Sequence, residues 1–194
     1  MKTINYENYF WQDDLVRLRA IQESDWEDSY RNRFDSKAGR LLQYEIELPP
    51  TISEEKTSIA KYVDFAPETN RLMFAIETLD GKSVGGLNLN SIDERNGTFS
   101  IGMQIHCDQR GKGYGTAAMR VLLKYAFFER RLNKYYGSIL KGNIASEKML
   151  LRLGCRIEGT RKEMVFAEGR YQDIVLFGLT RKEFEHSEKS KSQE

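Results

Sequence analysis

The stretch "CDQRGKGYGTAAMR", residues 107–120, decides how the chain folds. Glycine occupies positions 111, 113 and 115, between an arginine and a run of helix-forming residues. The preceding segment "GTFSIGMQI", residues 97–105, alternates as a strand does, and from Gly115 the apolar period changes from about 2 to about 3.6 residues. The sequence therefore predicts a strand, a glycine-rich turn and a helix in succession.

The spacing of these glycines favours an anion site. Without a Cβ atom, the backbone can adopt positive φ and approach a ligand closely, and several N–H groups converge at the start of a helix. A pyrophosphate suits such a site, and a simple tight turn is the alternative interpretation. Two other nucleotide loops do not fit, because GxxxxGK followed by Ser or Thr is absent and GxGxxG fails where Thr116 replaces the third glycine.

The rest of the chain carries strand and helix patterns that are typical of a mixed α/β (α+β) fold. Turn compositions separate three neighbouring strand patterns, which we expect to pair antiparallel. The predicted elements, in chain order, are a strand at 15–21, a helix capped by Ser24 to residue 34, a helix at 54–65 capped by Ser53, strands at 71–78, 82–90 and 97–105, a helix from Gly115, a strand at 134–140, a helix from Asn143 to Gly154 and a hairpin at 155–179.

Length and charge exclude several functional classes. With 194 residues the chain is long enough for one domain, expected at 1–184, before a polar tail at 185–194 that is predicted to be disordered. Thirty Lys plus Arg against twenty-nine Asp plus Glu give a net charge of +1, so no overall basic footprint for nucleic acid is present. A small-molecule or peptide partner fits better.

Three sequence features bear on the cellular location and on metal or disulfide chemistry: the N-terminus, the cysteines and the histidines. The segment "MKTINYENYFW" has no apolar signal region, and no window approaches the ~18 apolar residues of a membrane span. We therefore expect a cytoplasmic protein without a membrane partner. Two cysteines, Cys107 and Cys155, form no CxxC pair, and only two histidines occur. Neither a disulfide framework nor a metal is expected.

Two linked motifs carry a resemblance to a known family. Arg110, Gly113 and Gly115 match Arg-x-x-Gly-x-Gly, which resembles the coenzyme A pyrophosphate loop of GCN5-related N-acetyltransferases (GNAT). The segment "NIASEKMLLRLGC", 143–155, stands where that family has a helix opening with Asn. The resemblance spans roughly residues 15 to 184, and both ends are similar to the RimJ/RimL branch of ribosomal-protein and spermidine N-acetyltransferases.

The resemblance implies the fold and the cofactor. The GNAT fold is a central, twisted, mostly antiparallel sheet of about seven strands, flanked by helices and splayed between strands 4 and 5. The cofactor is acetyl-CoA, with coenzyme A as product and no metal. The residues expected to bind the cofactor are Met103, Ile105, Cys107, Arg110, Gly111, Lys112, Gly113, Tyr114, Gly115, Thr116, Asn143 and Ser146.

The catalytic groups depart from the family pattern. Leu150 stands where many relatives have a tyrosine acid, so Ser146, the serine used in the ribosomal-protein branch, is the candidate general acid; a first-turn serine that helps cap the helix is the alternative. Ser100 replaces the glutamate base of that branch, and Glu94, acting through water, is the candidate base beside its alternative as a solvated turn residue. Further base candidates are Asp93, His106, Tyr171 and Asp173.

Two functional classes remain open. The first is an N-acetyltransferase in which a primary amine, of a protein N-terminus or a small molecule, attacks acetyl-CoA directly in a ternary complex. The second is an acyl-CoA-binding module with little turnover, because both family catalytic positions are replaced. Residues 26–34, 40–50 and the last hairpin are expected to wall the amine side, where Glu45 and Glu47 could attract a cationic amine. The resemblance also suggests a homodimer.

Overall fold

The computed structural model describes residues 4–65 and 71–191. Within these ranges seven strands form one sheet. They are β1 (Val16–Ala20), β2 (Leu72–Thr78), β3 (Ser83–Asp93), β4 (Thr98–Ile105), β5 (Lys134–Leu140), β6 (Arg156–Ala167) and β7 (Arg170–Thr180). The α-helices are α1 (Trp26–Arg33), α2 (Ser36–Gln43), α3 (Ile52–Ala60), α4 (Tyr114–Lys124), α5 (Ile144–Arg152) and α6 (Arg181–Lys191).

The sheet is antiparallel except at one junction. The strand order is β1-β2-β3-β4-β5-β7-β6, and only β4 and β5 run parallel. These two strands pair at Thr98 with Lys134 and at Phe99 with Tyr135, and then diverge. The predicted mixed α/β fold is confirmed, including the mostly antiparallel sheet and its splay between strands 4 and 5.

One face of the sheet carries the main core. The longest buried stripe lies on α4, whose Met119, Leu122 and Leu123 pack with Phe99 of β4 and Phe127 beyond the helix. This stripe follows the 3.6-residue period that the sequence displays from Gly115. Because α4 follows β4 through the glycine-rich turn, the packing of this helix fixes where that turn lies.

The opposite face of the sheet beside the splay is covered by α2. This helix contacts β4 and β5, and the hydroxyl of Tyr44, which ends α2, lies 3.0 Å from both the carbonyl oxygen and the hydroxyl of Ser138. Neighbouring strand residues point to opposite faces, and Ile139 belongs to the main core. The side chain of Ser138 therefore faces α2, away from α4 and α5.

Three local predictions are corrected by the structure. Gln22, not Ser24, begins the first helical segment, because Gln22 and Asp25 form a reciprocal capping box before α1. Thr51, not Ser53, caps α3 by accepting a hydrogen bond from the Glu54 N–H at 3.1 Å. Helix α2 was not predicted, although Asp35 caps it by accepting a hydrogen bond from the Ala38 N–H at 3.0 Å.

The C-terminal segment also differs from its prediction. Helix α6 continues through residues 185–191, where the tail was predicted to be disordered; residues 192–194 lie outside the described ranges. Phe184 is fully buried against Phe127, and Glu188 pairs with Arg120 and Lys124 of α4. The polar composition of residues 185–194 predicts disorder, but the buried Phe184 at the start of the helix holds it against the core. Of the helices in the described ranges, none is long and apolar enough to span a membrane.

Candidate active site

The divergence of β4 and β5 opens a cleft of about 590 Å³ that passes through the sheet. Lys37 and Leu41 of α2 line it on one face, and Met119 of α4 and Met149 of α5 line it on the other. A space of this size between the ends of two strands is a common form of ligand site. Two molecules can therefore enter this cleft from opposite faces of the sheet.

The glycine-rich turn forms one wall of the cleft. Gly111 and Gly113 have φ of 78° and 88°, and Gly113 is the residue that precedes α4. Gly115 has a different role, because a Cβ atom there would lie 3.1 Å from Cε of Met103 and 3.5 Å from Sδ of Met149. Two of these glycines thus serve the backbone conformation, and the third serves close helix–strand packing.

The start of α4 offers backbone donors to this wall. The first helical hydrogen bond runs from the Ala117 N–H to the Gly113 carbonyl at 3.1 Å, so the N–H groups of Tyr114, Gly115 and Thr116 take no part in the helical ladder. All three residues line the cleft. Unsatisfied N–H groups and the positive end of the helix dipole suit a pyrophosphate, so this backbone fits the diphosphate of coenzyme A.

The charged and sulfur-containing residues predicted for this loop are distributed unevenly. Arg110 lines the cleft, but its guanidinium is held by the Ile105 carbonyl at 3.0 Å and by Asp35 at 2.6 Å. Lys112 and Cys107 are exposed and do not line the cleft; the Lys112 ammonium donates to Gln109 at 2.9 Å. Sequence reasoning missed three other cations of the lining, Lys37 on α2 and Lys148 and Arg152 on α5.

The open edge of β4 forms the floor of the cleft. The His106 N–H donates to the Val84 carbonyl of β3 at 3.0 Å. Because backbone groups alternate in direction along a strand, the N–H and C=O groups of Met103 and Ile105 point away from β3, toward the splay. Both residues, which the sequence predicts as cofactor-binding, line the cleft. An extended ligand arm can add to this edge as a further strand does.

The first turn of α5 brings two predicted residues into the cleft. Asn143 is buried and caps the helix, its Oδ1 accepting a hydrogen bond from the Ser146 N–H at 3.3 Å. The Ser146 side chain is half-buried, and its hydroxyl makes no hydrogen bond within the described part of the chain. Leu150, which replaces the family tyrosine, is also in the lining. Ser146 is thus a free hydroxyl donor on the wall that faces α4.

A second hydroxyl in the cleft was missed from the sequence. Tyr135 of β5 is 3% exposed and lines the cleft, yet its hydroxyl has no hydrogen-bond partner among the residues that the structure covers. Gly137 makes room for this hydroxyl, because a Cβ atom added there would collide with it. Burial raises the pKa of Tyr135, so the hydroxyl stays protonated. The Tyr135 oxygen is not among the fully buried side-chain atoms that lack a partner, so this hydroxyl keeps contact with the open space of the cleft.

The candidate bases lie outside the cleft. Glu94 is in the turn between β3 and β4, its side chain is 77% exposed and it pairs with Arg130 at 2.7 Å. That turn is at the opposite end of β4 from the glycine loop, so the structure does not bring Glu94 to the other predicted site residues. Asp93, the last residue of β3, accepts a hydrogen bond from the Asn96 N–H of that turn at 3.0 Å.

The remaining candidates are no closer to the role of base. His106 follows β4 and does not line the cleft; burial lowers its pKa, which keeps the imidazole neutral at pH 7. Tyr171 is exposed at the tip of the β6–β7 hairpin. The Lys162 ammonium and the Glu163 N–H lower the pKa of Asp173 to about 2, so its carboxylate is a weak base. Within residues 4–65 and 71–191, no group of three His, Cys, Asp or Glu could hold a metal.

Comparison with known proteins agrees with this architecture. Residues 16–156 match the Acetyltransferase (GNAT) domain family. The SPbeta prophage-derived N-acetyltransferase YokL of Bacillus subtilis is 27% identical over 176 residues, which cover 91% of this chain and 96% of YokL.

Two solved structures support the fold. Spermidine N-acetyltransferase from Vibrio cholerae, in complex with CoA and spermine, has a TM-score of 0.78 at 20% identity over 89% of this chain and 99% of its own. RimL, the ribosomal L7/L12 alpha-N-protein acetyltransferase, has a TM-score of 0.71 at 20% identity over 87% and 91%. Because the family match spans the strands, the loop and the helices that build the cleft, we conclude that the chain belongs to the GNAT family of N-acetyltransferases.

Proposed function

We propose that the chain transfers the acetyl group of acetyl-CoA to a primary amine, with both substrates bound at once. The observation that carries this proposal is the cleft that opens on both faces of the sheet, between α2 on one side and α4 with α5 on the other. The backbone N–H groups at the start of α4 favour the cofactor on the α4 side. The amine then approaches from the α2 side.

The proposed cofactor contacts follow from the lining. The N–H groups of Tyr114, Gly115 and Thr116 would hold the pyrophosphate, with Lys148 and Arg152 supplying positive charge on α5. The open backbone groups of Met103 and Ile105 would hold the pantetheine arm. The Ile105 carbonyl already accepts from Arg110 at 3.0 Å, so Met103 is the less occupied of the two positions.

The chemistry requires hydrogen-bond donors near the departing sulfur. Bound acetyl-CoA supplies a thioester whose carbonyl carbon the amine nitrogen attacks, the C–S bond breaks, and one proton passes in net from nitrogen to sulfur. The free hydroxyl of Ser146 is the proposed acid at this position, and the hydroxyl of Tyr135, which reaches the cleft, is a second donor. Because burial keeps Tyr135 protonated, this hydroxyl acts as a neutral donor to developing negative charge.

A direct base is missing from the proposed mechanism. No Asp, Glu or His of the described residues lines the cleft. The amine of a peptide N-terminus has a pKa near ~8 and an alkylamine one near ~10, so both are mostly protonated at neutral pH and must lose a proton through water before attack. We therefore expect the rate to rise with pH until the acceptor amine itself is deprotonated.

Acceptor-dependent thiol release tests this function. The full chain is incubated with acetyl-CoA and, separately, with peptides bearing a free N-terminus and with spermidine, the acceptor classes named by RimL and by the Vibrio cholerae relative. Transfer predicts coenzyme A release that requires an acceptor and matches the acetylated product by mass spectrometry. Binding of acetyl-CoA without release for any amine would favour the alternative, an acyl-CoA-binding module. The two free cysteines suit a reducing, cytoplasmic setting.

A further inference from the structure

A second cavity, of about 500 Å³, adjoins the cleft on its α2 side. Lys37 and Leu41 of α2 line both spaces, so the second cavity lies directly beside the cleft. The other walls are the end of β5, the residues that follow it and the tip of the β6–β7 hairpin. A molecule that enters through this cavity reaches the cleft from the face opposite α4 and α5, which is the face proposed for the amine.

The charges along this route are one-sided. Four cationic side chains, Lys37, Arg40, Lys141 and Arg170, line the second cavity, together with one carboxylate, Glu168. The lining of the cleft itself, within the described residues, contains no Asp or Glu. The chain as a whole has a net charge of only +1. The cations are therefore concentrated on this route, where their field attracts anions and repels a polyamine.

Ion pairs within the chain leave two of these cations available. The single carboxylate of the lining, Glu168, is bound by Arg40 at 2.5 Å, and Lys141 has a carboxylate partner in the hairpin. Lys37 and Arg170 have no ion-pair partner in the ranges 4–65 and 71–191. Both are exposed, so forming an ion pair with a ligand requires no internal contact to break. They are the positions at which an anionic group of a ligand can be bound.

The acidic residues expected to attract a cationic amine do not serve this purpose. Glu47 pairs with Arg33 at 3.1 Å, and neither Glu45 nor Glu47 lines the cleft or the second cavity. The apolar side chains of Leu41 and Leu140 cover part of the cavity. Its chemistry therefore combines apolar contact with anion binding.

We propose that the acceptor is the N-terminus of an acidic peptide, whose carboxylates bind Lys37 and Arg170 while its amine enters the cleft. This inference rests on the proposed function and specifies the acceptor class of the same site. A spermidine-like acceptor is disfavoured, because it would meet the two unpaired cations Lys37 and Arg170, while the cavity's other two cations already hold the nearby carboxylates. A peptide also has apolar side chains to contact the leucines of the cavity.

Two matched peptides provide the test. Ser-Glu-Glu-Glu-Ala-Tyr and Ser-Lys-Lys-Lys-Ala-Tyr, each with a C-terminal fluorophore, are titrated with the full chain and coenzyme A, and binding is measured by anisotropy. We expect the acidic peptide to bind at least about 10-fold more tightly, with Lys37→Gln and Arg170→Gln each weakening it by about 5-fold. Lys182→Gln, an exposed cation on α6, is the control and should change nothing.

Several outcomes would overturn the proposal. Equal or tighter binding of the basic peptide would do so, as would acidic-peptide affinity that neither variant reduces. The cavity could instead bind the 3′-phosphate of the cofactor. In that case Arg170→Gln would weaken acetyl-CoA but not its 3′-dephospho form, whereas the proposal expects both affinities to stay unchanged.

The same samples separate this proposal from the proposed function. Thiol release on addition of acetyl-CoA is measured for both peptides and for spermidine. Preferential binding of the acidic peptide without any thiol release would leave the acceptor class standing and would refute the transferase. Faster release with spermidine than with the acidic peptide would refute the acceptor class and leave the transferase standing.

Discussion

The cofactor side and the amine side of the cleft are built from different parts of the chain. On the cofactor side, the backbone between Gly111 and Thr116 forms the wall, within one continuous segment of sequence. On the amine side, side chains such as Lys37 and Arg170 come from elements far apart in the sequence. A short motif can encode the first and not the second, because backbone conformation is local and side-chain convergence is not. The cofactor class is therefore easier to infer than the acceptor.

The largest expected effect breaks the backbone wall. Gly113→Val should weaken acetyl-CoA binding by about 100-fold or more, because Gly113 has a φ of 88° that a β-branched residue resists and a Cβ atom would press on Leu15 at 3.3 Å. The N–H groups at the start of α4 would then point elsewhere. Isothermal titration calorimetry measures the affinity.

A matched glycine controls for strain alone. Gly81 has a φ of 89° in the turn between β2 and β3, and a Cβ atom there would meet nothing within 4 Å. Gly81→Val should lower stability through the same backbone strain and leave the affinity for acetyl-CoA unchanged. If both variants lose acetyl-CoA affinity equally, the loss comes from general backbone strain and not from the loop at the start of α4. The contrast between the two sides of the cleft would then fail.

The next effect concerns chemistry on the cofactor side. Ser146→Ala should lower kcat by roughly 100-fold with little change in acetyl-CoA affinity, because the variant removes the proposed acid and keeps the Asn143 cap, which binds only the backbone N–H. Steady-state kinetics and calorimetry together separate the two parameters. Ser53→Ala, at an exposed serine of α3, is the control. An equal loss of rate and affinity would make Ser146 a binding residue instead.

A smaller effect is expected for the second hydroxyl. Tyr135→Phe keeps the buried ring and removes only the unpartnered oxygen, so stability and acetyl-CoA affinity should be unchanged. We expect kcat to fall roughly tenfold, the value of one hydrogen bond of about 1.5 kcal/mol to a charged group. Tyr136→Phe, at the exposed neighbour, should have no effect. A wild-type kcat for Tyr135→Phe would remove this hydroxyl from the mechanism.

The smallest effect tests the link between the two sides. Asp35 caps α2 and pairs with Arg110 of the cofactor loop at 2.6 Å. Asp35→Asn keeps a capping side chain and removes the charge, so the free energy of unfolding should fall by about 0.5 kcal/mol at pH 7, as for a partly exposed ion pair. Urea denaturation of both proteins measures this difference.

The pH dependence of that difference has a definite sign. Burial alone raises the pKa of Asp35, but the Ala38 N–H and the Arg110 guanidinium together hold it below its usual value. A lowered folded-state pKa stabilises the protein above the unfolded pKa of about 4 and loses that contribution as the pH falls through the folded value. The variant and the wild type should therefore converge as the pH falls toward 3. A difference as large at pH 3 as at pH 7 would contradict the ion-pair assignment.

Much of the fold follows from patterns that are local in the sequence. The alternation before Gly111 and the helical period after Gly115 predict β4, the turn and α4, and the second motif predicts α5. The splay between β4 and β5 came from the family resemblance, and their parallel pairing was not predicted, since no local pattern encodes which strands pair. Helix α2 escaped prediction, although an Asp cap precedes it, because it is only eight residues long and contains Gly39, a poor helix former.

The parts of the site that depend on local backbone conformation could be predicted from the sequence, and the parts that depend on converging side chains could not. The glycines, Asn143 and Ser146, which were predicted to bind the cofactor, all line the cleft. Glu94 does not line the cleft. Its turn-like sequence context gives no information on its distance from the glycine loop at the other end of β4. Tyr135 was missed because, in the sequence, a tyrosine in a strand is indistinguishable from any core aromatic residue. Its hydroxyl occupies the space beside Gly137, and this contact is visible only in the structure. The acceptor charges were also missed, since they converge only in three dimensions.

Thermal unfolding with and without acetyl-CoA tests the central claim most directly. At a hundredfold excess over the dissociation constant, binding adds ~2.7 kcal/mol, which for a domain of this size raises the unfolding midpoint by roughly 5–10 °C. The account predicts this shift for the wild type and for Gly81→Val, and at most about 1–2 °C for Gly113→Val at the same concentration, where a 100-fold weaker site is only half occupied. No shift for the wild type at millimolar acetyl-CoA, or an equal shift for all three proteins, would contradict a cofactor site built on the backbone at the start of α4.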